Sequence, residues 1–103
     1  MGKNSILETL GRRVGNVVLH KLLVKYTNKP ESIGHLQKEE LAYRDDAVKD
    51  SKKYNWNDSD IEEITKEAID FIKSKVKKKY TDLNFSLEEI RKLIDYEIKD
   101  LKL

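Results

Sequence analysis

Apolar positions along this chain recur with the period of an α-helix. Ile6, Leu7, Leu10, Val14, Val17 and Val18 hold one helix face, at about 100° of turn per residue. Between Val17 and Val24 the apolar residues spread around most of the circumference. A helix that is greasy on every side has to be covered on several. The pattern therefore predicts a central helix over residues 5–26, with the rest of the chain as its cover. Asn4 or Ser5 supplies the N-cap, and Glu8, three positions beyond Ser5, completes a capping box. Thr27-Asn28-Lys29-Pro30 ends the helix, because proline fixes φ and keeps the residue before it out of the helical region.

Three further helices follow. Residues 30–34 read as a single turn, and residues 36–54 as a second helix. Its apolar set of Leu36, Leu41, Tyr43, Ala47, Val48 and Tyr54 is a weak stripe in a highly charged segment, which predicts an outer, half-exposed position. Residues 55–60 are the clearest break. With Asn57 as N-cap, Trp56 can staple onto Ile61; with Ser59 as N-cap, Glu62 completes a capping box. Ile61, Ile64, Ala68, Ile69, Phe71, Ile72, Val76 and Tyr80 then mark a third helix reaching Tyr80. Its acidic start and lysine-rich end suit the helix dipole. Residues 81–85 form a loop, Ser86 and Glu89 a capping box, and Phe85 can staple to Ile90. Leu87, Ile90, Leu93, Ile94, Ile98 and Leu101 give the fourth helix a heptad-like seam that runs to the end of the chain. The expected fold is an all-α, bundle-like domain of four helices spanning residues 1–103. The first, third and fourth helices make its core, and the second lies partly outside.

Composition adds constraints. Apolar residues are 38% of the chain and charged residues 39%, against about 25% charged in an ordinary globular domain. The core is thin, and long helices wet on one face account for the excess charge. Without cysteine there is no disulfide, no thiolate metal ligand and no thiol nucleophile. The apolar run near the N-terminus is shorter than the roughly 20 residues needed to span a bilayer. Glu8, Arg12 and Arg13 also interrupt it too early for a signal peptide. The sequence therefore predicts a cytoplasmic protein with no membrane partner.

The net charge of +2 conceals opposed blocks. Residues 1–30 hold six basic residues and one acidic, and residues 31–63 hold five basic and ten acidic. Residues 64–80 hold six basic and two acidic. Oppositely charged segments can cover one another within a chain or between chains.

Few residues suggest chemistry. Lys73, Lys77, Lys78 and Lys79, with Lys75 and Tyr80 beside them, could neutralise nucleic-acid phosphates, helped by Arg12, Arg13, Lys21 and Lys25. The plainer alternative is a solvated helix end that complements the dipole. Glu39, Tyr43, Asp46 and Asp50 share a face of the second helix, with His35 near it. Neither Glu-x-x-His nor His-Glu-x-x-His accompanies them, so they read as a solvated acidic face. Arg13 and His20 lie seven apart on one face of the first helix. A helical Arg followed after six residues by His resembles the active motif of HEPN-type ribonucleases, which are dimeric helical bundles. The resemblance implies that His20 handles protons and Arg13 stabilises phosphate charge. The chain departs from that family in having Val14 after the arginine, where a polar residue is usual, and in placing the pair early. No phosphate loop, nucleophile elbow or cofactor fingerprint occurs. No catalytic, cofactor-binding or metal residue is assigned.

The expected function is that of an interaction or structural module working as a homo-oligomer, a dimer by default. Helix 1 is apolar on more faces than one short chain readily covers, and Gly11 and Gly15, four apart, permit close approach of another backbone. With the heptad-like seam, these features place the expected subunit interface at Gly11, Gly15, Val18, Leu22 and Leu101. Nucleic-acid binding through the lysines of the third helix is the alternative.

Overall fold

The computed structural model describes residues 2–27, 29–79 and 85–103. Its elements are α1 (Lys3–Tyr26), a 3-10 turn (Pro30–Ser32), α2 (Ile33–Ser51), α3 (Asp58–Lys79) and α4 (Leu87–Asp100). No strand occurs among the described residues. Asn28, Tyr80 and residues 81–84 of the expected loop at 81–85 lie outside them.

Helix ends follow their local chemistry. α1 begins two residues earlier than its capping signals predict, with Gly2 at the cap. Ser5 and Glu8 therefore lie inside the first turns, and Glu8 faces Arg12 at 3.9 Å instead of completing a capping box. α2 starts directly from the 3-10 turn and ends at Ser51, three residues short of expectation. The indole N–H of Trp56 donates to the Ser51 carbonyl at 2.9 Å, which satisfies one of the acceptors that a helix end leaves open. Of the two possible starts for α3, the chain uses Asn57. The Asp60 amide donates to Asn57 Oδ1 at 2.8 Å, and the Asn57 amide donates to Asp60 Oδ2 at 3.1 Å. This is a reciprocal capping box built from Asn and Asp. Ser86 caps α4, accepting from the Glu89 amide at 3.1 Å.

α4 stops at Asp100 rather than at the end of the chain. The Lys102 amide donates to the Lys99 carbonyl and the Leu103 amide to the Ile98 carbonyl, with Lys102 at φ 59°. That is a Schellman closure, and it folds Leu103 back against the core.

α1 is the centre, as its all-round hydrophobicity predicts, and α2, α3 and α4 each pack against it. Leu10, Val14, Val18 and Leu22 have no exposure, with Ile64, Ala68 and Ile72 of α3 and Ile90 and Ile94 of α4 closing around them. One chain therefore covers its own central helix. This corrects the expectation that α1 stays partly bare in a lone subunit. Gly11 and Gly15 do mark a close crossing, but with α3 of the same chain. A Cβ on Gly11 would sit 2.5 Å from Glu67 Cβ, and one on Gly15 would sit 3.0 Å from the Ala68 carbonyl oxygen. α2 packs on α1 alone among the long helices, with Ala47 and Asp50 as its buried residues. Its outer placement agrees with its weak stripe.

Candidate interaction surface

Three polar side chains of α1, those of Arg13, His20 and Lys21, lead into the packing rather than out to solvent. Arg13 Nη1 donates to Asp50 Oδ2 at 2.6 Å and to the Asp46 carbonyl at 3.3 Å, and Lys53 closes on Asp50 at 3.2 Å. Asp50 is only 3% exposed. Lys21 pairs with Glu97 of α4, which is 1% exposed, and its ammonium also lies 5.0 Å from the Tyr96 ring centre. Arg44 of α2 pairs with Asp100 of α4, so side chains bridge two helices whose backbones do not meet.

His20 is 7% exposed, with the Tyr43 ring 5.1 Å away. Its Nδ1 faces the Asn16 carbonyl at 2.8 Å and therefore donates; its Nε2 is hydrogen-bonded to Glu39 Oε2 at 2.8 Å. The other Glu39 oxygen lies 2.7 Å from His35 Nε2, so both histidines of the chain converge on one carboxylate. The His20 bond holds the Glu39 carboxyl below its usual range, with the His35 charge helping. The neighbouring Glu40 shifts the other way, raised first by burial and then by Glu97 against the pull of Lys21. The face of α2 read as solvated is thus partly a buried polar seam against α1. Arg13 and His20 share that seam. Every nitrogen His20 could use for proton transfer already has a partner, and Arg13 is held by Asp50. Their bonds are those of helix packing. No cluster of three His, Asp or Glu able to hold a metal occurs among the described residues.

Five residues were expected at a subunit interface. Gly11, Gly15, Val18 and Leu22 are buried within the subunit, and Leu101 packs partly buried on the same core. The first four offer no open surface to a second chain.

The lysine end of α3 is different. Lys73, Lys77, Lys78 and Lys79 are exposed, and none has an ion-pair partner among the described residues. The cations expected to assist them are already matched: Arg12 to Glu8, Arg13 to Asp50, Lys21 to Glu97 and Lys25 to Glu89. Beside the free lysines, α3 and α4 leave a slot of about 200 Å³. Ile72, Val76, Phe85, Leu87 and Ile90 form its apolar wall, and Lys73 and Lys77 border it. Leu87 is an exposed large apolar residue. The sequence pointed to these lysines; the apolar slot next to them was not legible, because it needs two helices brought side by side.

No known family, curated protein or solved structure matches this chain.

Proposed function

We propose that this chain is a small helical interaction module whose working face is the α3–α4 side. It takes a protein segment that carries carboxylates and one large apolar side chain. The observation that supports this reading is the apolar slot bordered by Lys73 and Lys77, cations with no partner among the described residues. A carboxylate placed there gains charge-assisted bonds, and an apolar side chain in the slot leaves water. Nucleic acid would use the same lysines, but it has less use for an aliphatic wall. Phe85, the aromatic in that wall, is half-buried and already set against Tyr26, 5.5 Å between ring centres.

Fluorescence anisotropy with a labelled Asp/Glu-rich peptide carrying one phenylalanine tests the reading. The phenylalanine peptide binds on the order of tenfold more tightly than its alanine counterpart, as burial of an aromatic side chain requires. Lys73→Gln with Lys77→Gln abolishes the binding. Equal binding of both peptides would remove the slot from the argument. Binding of a single-stranded oligonucleotide with neither peptide bound would put nucleic acid in its place.

A further inference from the structure

The basic half of α3 is only part of a longer charged stripe. Glu62, Glu63, Lys66, Asp70, Lys73 and Lys77 are all exposed. At 100° per residue they fall within about one third of the helix circumference, on the side away from Ile64, Ala68 and Ile72. None of them has an ion-pair partner among the described residues, although Glu62–Lys66 and Lys66–Asp70 have the spacing for one. Read along the helix the signs run negative, negative, positive, negative, positive, positive. The pattern is antisymmetric about a point between Lys66 and Asp70. A stripe with that property is complementary to itself when turned end for end, which is the condition for an isologous two-fold contact.

The shape beside the stripe suits the same occupant. Between α3 and α4 runs a hollow of about 560 Å³ over Ile61, Thr65 and Ile69. Its α4 bank carries Arg91 and Asp95, again one charge of each sign. An approaching helix thus meets a floor of Ile61, Thr65 and Ile69 between mixed-charge banks.

We infer that the carboxylate-bearing partner is a second copy of this chain. Its α3 lies antiparallel to the first about a two-fold axis between Lys66 and Asp70. Glu62 and Glu63 of each subunit meet Lys73 and Lys77 of the other, and the Lys66 and Asp70 side chains pair across the axis. This rests on the reading of the α3–α4 side as the working face, and it names the source of the carboxylates that meet its lysines. It also moves self-association from α1, where the apolar pattern had placed it, to a charged face. Exposed ion pairs contribute little singly, so the dimer is weak, and salt dissociates it.

Zero-length carbodiimide coupling of the wild-type protein, followed by peptide mass mapping, tests the contact directly. A Glu63–Lys73 amide is expected. Ten residues along one helix span about 15 Å, so that bond cannot form within a subunit. Sedimentation equilibrium supplies the second test. The wild type sediments as a dimer at low salt and as a single subunit near 1 M salt, where the screening length is about 3 Å. The variant Glu62→Lys/Glu63→Lys sediments as a single subunit, and so does Lys73→Glu/Lys77→Glu. An equal mixture of the two recovers the dimer, because every reversed charge then meets its opposite. Absence of the cross-link, or a mixture that stays monomeric, overturns the inference. If the wild type is monomeric yet binds the acidic peptide, the proposed function stands without it. If the protein dimerises but, diluted to single subunits, ignores the peptide, the reading of the slot fails instead.

Discussion

Two sets of basic residues in this molecule have the same chemistry and different fates. On α1, Arg13, His20 and Lys21 each reach a carboxylate on a neighbouring helix, and two of those carboxylates have almost left water. At the end of α3, Lys73 and Lys77 to Lys79 reach none among the described residues. The difference lies in the partner helix. Asp50 and Glu97 sit inward on α2 and α4, so a cation from α1 must come to them. Among the described residues, no inward-facing acid asks the same of the α3 lysines. A basic residue in such a chain is structural or available according to the register of the acid opposite it.

The largest test breaks the first set. Lys21→Met leaves Glu97 buried without a counter-charge, and urea unfolding should show a loss of about 3 kcal/mol. Lys77→Met should stay within about 0.5 kcal/mol of wild type, as for an ordinary surface change. The double variant Lys21→Met/Glu97→Met regains most of the loss, since an apolar pair replaces an ionic one. Equal effects at Lys21 and Lys77 would erase the distinction between the two sets.

A smaller effect separates the two sides of the molecule by packing. Gly11→Ala pushes a methyl into Glu67 Cβ and toward the Ile64 carbonyl. Overpacking outweighs the gain in helix propensity, for a net loss of about 1–2 kcal/mol. Gly34→Ala, where nothing lies within 4 Å, gains instead, by up to about 1 kcal/mol. Thermal melts of the two variants should therefore move in opposite directions.

The smallest effects concern pH, and adjacent residues differ in sign. The Glu39 pKa is lowered from 4.5 by its bond to His20. Its stabilising contribution is present above that value and is lost as pH falls through the lower folded-state pKa. Glu39→Gln should therefore flatten the acid limb of the melting-temperature profile. Glu40 is raised from 4.5, chiefly by burial. Folding disfavours its charged form, so its cost grows as pH rises through 4.5 toward the higher folded-state value. Glu40→Gln should raise the melting temperature at neutral pH and leave it little changed in acid. A profile in which both variants shift alike would show that the seam around His20 is not polarised as described.

The helices were largely readable because each depends on local pattern. The α1 stripe, the Asn57 and Ser86 caps and the α4 seam all act within a turn or two. Boundaries failed where a distant group decided them. Trp56 closes α2 at Ser51, five residues away, and no propensity in α2 announces that bond. The buried ion pairs had a faint signal. Leu87, Ile90, Ile94 and Leu101 repeat at heptad spacing, and Glu97 occupies the remaining place in that row. Tyr43, Ala47 and Tyr54 leave a similar place for Asp50. A carboxylate in an apolar row asks for a cation from across the interface, which says that a partner exists but not which one. Coverage of α1 was misjudged for another reason. The apolar area of each helix does not set its coverage, because glycines at 11 and 15 bring α3 close enough for a modest apolar face to cover more.

The central position of α1 also sets a schedule. It leaves the ribosome ahead of the three helices that cover it, and its covering is complete only when α4 has followed, roughly 70 residues later. At 5–20 residues per second that interval is about 4–14 s. Throughout it, the greasiest segment of the chain has α2 at most, and then α2 with α3, to shelter it. Nascent chains of this protein are therefore candidates for holding factors that bind short aliphatic stretches. The need for such help ends when Ile90, Ile94 and Ile98 arrive to close the last side.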